Sequence, residues 1–484
     1  MKGRLRHEPP DSYNLRLIQP MIKNGTIPNG LYVRLDRVGW TVHIIEAQTA
    51  KQVLTDLKRF PKADIRLGRE DTIDAQYLGS PNVLFSNGAE WKKNRKIINP
   101  AFHRSMPVKA FAHLTQDMFM ALEARMGAPI DAVDVMKRAA LNVIGKVGFN
   151  FDFNALNDPD NPWVRMYYNI DDGIREPLFF HFPILDKYFL WMFPSRKAVQ
   201  SDLKQFKQML RQVISQRRQE VMAKDHTMNA SEDAEKDLLT LMLESEKLGE
   251  GALTDEELNS NLRVFFLAGQ ATTANSLSFA VYHLSKNLDI QEKARQEAIE
   301  VLGDEPFDVL PTIEQVKKLR YIGQVIKETM RINTPVTQNA TRRTTEDMEL
   351  ASVFIPKGTP VVSDIFDIHH NPNIWKDPYT FNPDRFSPNG EAEEHPSAWL
   401  PFGLGLRQCF GMNFSLTLQR VMLSMMRKYF LPELHKTNLI NIHHQVRKFR
   451  WTLPDDTIHK DNLVTSVGDI PIALKLYANF EKLY

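Results

Sequence analysis

One short stretch gathers residue types that could do chemistry. In LPFGLGLRQCFGMN, Leu400 to Asn413, Cys409 is the single cysteine among 484 residues. Arg407 stands two positions before it, and Gly403, Gly405 and Gly411 surround it. A lone cysteine is usually a small buried hydrophobe. Here the glycines let the backbone turn tightly and approach a flat object closely. The Arg407 guanidinium suits a carboxylate on a ligand. The helical pattern MNFSLTLQRVMLSMMRKYF begins directly afterwards, and the free N–H groups of a helix start favour an anionic sulfur. One thiolate cannot build a zinc or iron–sulfur site. It can be the axial ligand of a haem, whose other four ligands are its own nitrogens.

Four further stretches carry weight only in combination. KETMR places Glu328 and Arg331 on one helical face, which alone reads as a surface ion pair. FNPDRF supplies Pro383, Arg385 and Phe386. WKKNR sets Trp91 and Arg95 four apart, which alone reads as a solvated basic helix. In FFLAGQATTANSL the small pair Ala268–Gly269 precedes Thr272 and Thr273.

Phe402, Gly405, Arg407, Cys409 and Gly411 match F-x-x-G-x-R-x-C-x-G, the haem-binding signature of the cytochrome P-450 family. The motifs from Trp91 to Gly411 fall in that family's order, and the resemblance extends over nearly the whole chain. It is to the eukaryotic microsomal type, with a fungal source as one candidate. It implies haem b held by Cys409, with Trp91, Arg95, Arg342, Phe402, Arg407 and Gly411 as cofactor-binding positions. Arg343 competes with Arg342 for one propionate. Cys409 would be the metal ligand, pushing electron density onto the iron to favour O–O cleavage. Glu328, Arg331 and Arg385 would form a structural lock. Ala268 and Gly269 would make room for oxygen, and the Thr272 hydroxyl would support its activation.

The chain departs from the family where that threonine's acidic neighbour is expected, for Ala271 stands there. Alanine cannot relay a proton. Three accounts remain open: protons delivered through water held by Thr272 and the Gln270 amide; use of a peroxide; or an acid supplied by the substrate or simply weak activity. Phe410 is also bulkier than the small aliphatic common after the cysteine.

Around these residues stands an ordinary globular chain. It is 43% hydrophobic and 25% charged, with 61 basic and 59 acidic side chains. That balance excludes a nucleic-acid partner by charge. One cysteine excludes an internal disulfide and fits a reducing compartment. No apolar run of about 18 residues exists to span a membrane, and the start of the chain lacks a signal-peptide core. GLYVRLDRVGWTVHIIEA, Gly30 to Ala47, reads as strand. Most of Lys51 to Pro335 reads as helix, including the amphipathic Ala198 to Ala223 and a helix capped at Thr254. Lys224 to Asp237 reads as a loop. After Pro335, short β-type runs return.

The expected fold is therefore mainly α with a smaller β-rich portion, a single domain over 1–484. The β-rich part is expected near 30–65, 336–370 and 445–480, the helical part near 66–335 and 371–440. The resemblance makes this a triangular helical prism, with haem between the long central helix and the cysteine-bearing helix. By family position, Val83 to Phe85, Phe265, Phe266, Val336 to Asn339 and Ser466 to Gly468, with Val467 central, are expected to line the substrate cavity. Their apolar character points to a lipophilic substrate, a steroid, terpenoid, fatty acid or xenobiotic. The resemblance implies dioxygen as co-substrate and electrons from NADPH through a separate reductase, expected to dock near Lys92, Lys93 and Lys96. A monomer is expected. Pro177 to Lys197 reads by default as core, by resemblance as an access region with a membrane surface as candidate contact. The expected place is the cytosolic face of the endoplasmic reticulum if an anchor precedes this sequence, otherwise the cytoplasm. The rivals are a peroxide-dependent hydroxylase or hydroperoxide isomerase, and a non-catalytic haem sensor.

Overall fold

The computed structural model describes residues 14–482 except 37, 65, 67–68, 80, 105, 126–129, 224–234, 250, 304–309, 429–448, 455–456, 458–464, 467–472 and 475. It is mainly helical with small sheets, as the sequence implies. Two apolar clusters organise it. The larger holds the helices. The smaller, including Val42, Ile44, Val361, Trp375 and Leu400, sits under the main sheet.

That sheet joins distant parts of the chain. Strands β1 (Leu31–Asp36) and β2 (Gly39–Ile44) form an antiparallel hairpin. The short β3 (Arg342–Arg343) and β4 (Pro360–Ser363) complete it in the order β1-β2-β4-β3. Val361 pairs with Val42 on one side and with Arg342 on the other. The register therefore sets Arg342 across the sheet from the N-terminal hairpin.

Six helices position the site. Helix α1 (Gly88–Arg104) carries WKKNR. Helix α2 (Ala132–Phe149) starts at Asp131, whose side chain accepts the Val133 and Asp134 N–H groups. Helix α3 (Pro194–Ala223) extends the expected amphipathic segment N-terminally. Helix α4 (Asp255–Lys286) begins at Thr254 as expected. Its hydroxyl accepts from Glu257 N while the Glu257 side chain accepts from Thr254 N. Helix α5 (Arg320–Ile332) carries Glu328 and Arg331, and α6 (Met412–Lys428) follows the cysteine. A Cβ at Gly269 of α4 would stand 3.2 Å from Ile144 Cδ1 of α2. The glycine thus lets the two helices pack closely.

One reading changes and one lies largely outside the described residues. Pro177 to Lys197 is not core. It folds into short turns of helix that leave Phe182, Ile184, Tyr188 and Met192 exposed, with Trp191 75% exposed. The expected loop Lys224 to Asp237 lies for the most part outside the described residues.

The Glu328 lock is fully buried. Its carboxylate meets Arg331 Nε at 2.8 Å and Arg385 Nε at 3.3 Å, and accepts the Asn382 N–H. Arg331 also donates to the carbonyls of His369 and Pro378, and Arg385 contacts Glu391. Removing one partner of a buried ion pair strands the others' charge. Glu328→Gln is expected to lower unfolding free energy by about 3–5 kcal/mol, read as a fall in the urea midpoint. A loss below about 1 kcal/mol would mean the lock behaves like a surface bridge.

Candidate active site

Helix α4 shows where the space is. From Glu257 to Ser285 it is buried except at Leu267, Ala268, Gly269 and Thr272, and Ala268 counts as exposed. A window in the middle of a buried helix opens on an internal void. Cys409 gives the same signal from the other wall. Its side chain keeps accessible surface although it lies deep among protein atoms. The two walls meet where Phe265 packs 5.3 Å from Phe410 and Thr273 Oγ1 lies 3.3 Å from Ser415 Oγ.

The loop before Cys409 is built from backbone that only glycine adopts readily. Gly403 and Gly405 have φ of 67° and 70°. A Cβ on Gly405 would stand 3.1 Å from Thr55 Cγ2. The loop is stitched into both cores, Leu400 and Leu404 into the β-side cluster, Phe402 and Phe410 onto the helical one. The Cys409 N–H donates to Phe402 O at 2.9 Å, closing the turn.

Cations crowd this void without a carboxylate among them. Arg95 Nη2 donates to Gln408 O at 2.7 Å. Arg407 lies 4.2 Å over the Trp91 ring and donates to Ser86 O and Asn87 Oδ1. Arg342 Nη1 donates to Phe60 O, and Lys62 Nζ to Leu84 O at 2.7 Å. Among the described residues, Nε of Arg95 and Arg342, and Nε and Nη1 of Arg407, are buried without a hydrogen-bond partner. Burial, then the neighbouring Arg407, Arg342 and Arg95, pushes Lys62 down to about 7. Burial lowers Arg342 to about 10; burial with Arg342 and Arg95 lowers Arg407 to about 9. Lys62 is half-buried by surface area, so residual water on the cavity side tempers its shift. Unpaired buried donors and excess positive charge are what two propionates would satisfy. With Cys409 on the void's wall, the residues present fit a haem.

Burial raises the Cys409 thiol above its ordinary value, outweighing the Gly411 N–H, Arg95 and Lys62, which act to lower it. The helix start alone does not make this sulfur an anion. A bound metal would deprotonate it.

The structure brings together Trp91, Arg95, Arg342, Phe402, Arg407, Cys409 and Gly411 around the void, with Ala268 and Thr272 opposite. Arg343 is exposed and donates to Gly358 O, so the competition with Arg342 resolves to Arg342. The Thr272 hydroxyl donates to Ala268 O. Gly269 turns its missing side chain towards α2, so its smallness serves helix packing.

The expected cavity lining fares less well. Val83 is 3% exposed and Phe265 2%, too little for walls of an open void. Phe265 packs against Phe102 and Phe410 on the cysteine side, and Phe266 against Phe149, Phe153 and Phe206. Phe85 is 9% exposed beneath the Arg66 guanidinium. Val336, at 38%, is open. Val467 and Gly468 lie outside the described residues. Of the three docking lysines, Lys93 is engaged by Glu257 at 2.7 Å.

Two residues escaped the sequence reading. Lys62 belongs to no spaced motif; only folding brings it among the arginines. His369 was visible as one of a histidine pair. Its Nε2 accepts the Leu400 N–H at 2.9 Å and its Nδ1 donates to Arg331 O at 3.1 Å. Burial, His370 and Arg331 hold its pKa well below the ordinary value, as a ring that must accept a hydrogen bond requires. It links the Glu328 lock to the cysteine loop.

The sequence model of the family described as Cytochrome P450 matches residues 37–457. The mouse protein Cytochrome P450 3A41 is 28% identical, the match covering 74% of this chain and 71% of that one. Human Cytochrome P450 3A5 is 30% identical, over 69% of this chain and 66% of its own. These mammalian relatives lend no support to a fungal source. Among solved structures, the crystal structure of the cytochrome P450DA heme domain aligns with TM-score 0.76 at 22% identity, covering 96% of this chain and 94% of that one, a likeness of fold.

Lys62→Gln removes a donor that has no acidic partner among the described residues. It is expected to speed haem loss to a scavenging acceptor protein by about tenfold, the worth of one charge-assisted hydrogen bond. An unchanged rate would exclude Lys62 from the propionate site.

Proposed function

This chain belongs to the cytochrome P450 family and is a haem-dependent monooxygenase, and we propose that Cys409 is the iron's axial ligand and Thr272 the residue that supports oxygen activation. The substrate is a lipophilic small molecule of the steroid, terpenoid, fatty-acid or xenobiotic kind. One observation carries the site assignment: the only cysteine and the Ala268–Thr272 window both keep accessible surface beside four cations that have no acidic partner among the described residues.

Haem, when bound, supplies the redox chemistry that activates dioxygen. The chain's own residues do the rest. Arg95, Arg342, Arg407 and Lys62 would hold the propionates, with Trp91 stacked under Arg407 to fix its fork. Phe102, Phe265 and Phe410 pack beside the cysteine and exclude water from that side. The Thr272 hydroxyl, resting on Ala268 O, has lone pairs free to accept from a water in the window. Ala271 is buried at 2% exposure, so no side chain at that position carries a proton inward. Proton delivery then rests on water ordered by Thr272.

Electrons reach this site from NADPH through a separate reductase; the exposed Lys92 and Lys96 support a basic docking face. The exposed Phe182, Tyr188 and Trp191 support contact with a membrane surface. No helix among the described residues is long and apolar enough to cross a membrane. We propose a monomer at the cytosolic face of the endoplasmic reticulum. Ala271 favours one second reading, a peroxide-dependent hydroxylase or isomerase, because such chemistry needs less proton delivery.

Thiolate ligation is tested by the carbon monoxide spectrum of the reduced protein beside Cys409→His. A strongly red-shifted Soret band is expected in the parent and lost in the variant. A spectrum of histidine-ligated type in the parent would overturn the assignment. Proton delivery is tested by Ala271→Asp at constant haem content. A gain of about tenfold or more in NADPH-supported turnover is expected, within the usual worth of a positioned acid. No gain, with full activity on added peroxide, would favour the second reading.

A further inference from the structure

Beneath the sheet lies a polar cluster that the haem site does not use. His43 of β2 has no exposed surface. Its Nδ1 lies 2.8 Å from Asp364 Oδ2 and its Nε2 2.8 Å from Asp36 Oδ2. Tyr32 of β1 stacks on the ring at 4.8 Å and donates its hydroxyl to Asp364. Arg34 of β1 donates to Asp36 at 3.0 Å. From the helix after β4, Asp367 faces the cluster and accepts from Asn14 and Gln19 of the N-terminal segment. A ring whose two nitrogens both meet carboxylates must donate from both, so it is an imidazolium.

Asp364 has a second attachment. Its Oδ1 accepts from Gln338 Nε2 at 3.2 Å. Gln338 belongs to the strap between α5 and β3. The same strap gives Asn339 N to Ser363 O at 3.1 Å and accepts Phe366 N at Thr337 O. It carries the open Val336 at one end and Arg342 at the other. Asn339 Oδ1 lies 3.5 Å from where a Cβ on Gly403, in the cysteine loop, would stand. Whatever fixes Asp364 therefore fixes the strap beside the void.

We infer that His43 is a positioning residue for the strap from Val336 to Arg342, and that through Asp364 it holds this wall in place only while its ring carries both protons. The inference rests on the strap's forming part of the substrate cavity. Should His43 lose a proton, a lone pair faces a carboxylate, Asp364 is released on one side, and Gln338 loses a fixed acceptor. Burial opposes the charge on His43, but the bonds to Asp36 and Asp364 outweigh it and raise its pKa. In return, burial raises Asp364, but His43, Arg34 and Tyr32 together outweigh it and keep that carboxyl low. A raised histidine contributes fully below its ordinary range, and the contribution is lost as pH rises through the raised value. The wall therefore loosens on the alkaline side.

The test uses two probes of the loaded enzyme, imidazole and the bulky azole clotrimazole, titrated by their Soret shifts from pH 6.5 to 9.5. Both bind at the metal through a neutral azole nitrogen, and only the bulky one presses on the walls, so the ratio of their Kd values, each taken for the neutral azole, isolates the cavity. The ratio is expected to shift against clotrimazole by about fivefold to tenfold across one alkaline step, the worth of a hydrogen bond lost. Asp36→Asn, at the partly exposed end of β1, is expected to move the step down by about one pH unit. His43→Gln is expected to abolish it; should that variant not fold, Asp36→Asn decides alone. A flat ratio in the parent, or a step that Asp36→Asn leaves in place, overturns the inference. Failure of both probes to shift the Soret band would instead count against the haem-site reading.

Discussion

The structure turns on one buried carboxylate. Glu328 has no water to solvate it, so Arg331 and Arg385 must stand where they do. Ion pairs of this kind contribute little net stability, because desolvation consumes most of the attraction. Their effect is on which arrangements are tolerable. Any packing that moves one arginine leaves a bare charge in the core. From Arg331 the constraint passes to His369 and on to the Leu400 N–H. The loop that presents the cysteine thus inherits its position from a carboxylate it never touches.

A second constraint is electrostatic. Burial depresses Lys62, Arg342 and Arg407, and at Lys62 and Arg407 the neighbouring arginines depress them further. A raised Cys409 thiol belongs to the same picture. A dianionic haem held as proposed would answer both at once, its propionates pairing with the cations and its iron with the sulfur. Part of its binding free energy would then appear as folding free energy, as for other metal-dependent proteins.

The sequence made the anchors of this site legible because they come as short, fixed spacings. F-x-x-G-x-R-x-C-x-G, E-x-x-R and W-x-x-x-R each occupy one loop or one helical face, so local periodicity carries them. The cap at Thr254 was equally local. What stayed hidden depended on tertiary placement. Lys62 joins the cations only because the chain after the hairpin passes beneath Leu84 and beside β3. Phe265 looked like a cavity wall by position on α4, but Phe102 and Phe410 draw it to the cysteine side. The aromatic run from Pro177 looked like core by composition, since apolar character alone does not say whether a partner surface exists to bury it.

Phe410 has a consequence beyond packing. Cysteine is the side chain most open to stepwise oxidation, and the later steps are irreversible. An enzyme that handles activated oxygen keeps one such sulfur at the centre of its chemistry. Phe410 leans on Phe102 at 4.8 Å and Phe265 at 5.3 Å, with Arg95 5.6 Å above its ring. That aromatic cluster packs beside the sulfur. If Cys409 holds the iron, as proposed, the bulky residue after it bears on the enzyme's working lifetime, the number of turnovers it survives before its own ligand is burnt.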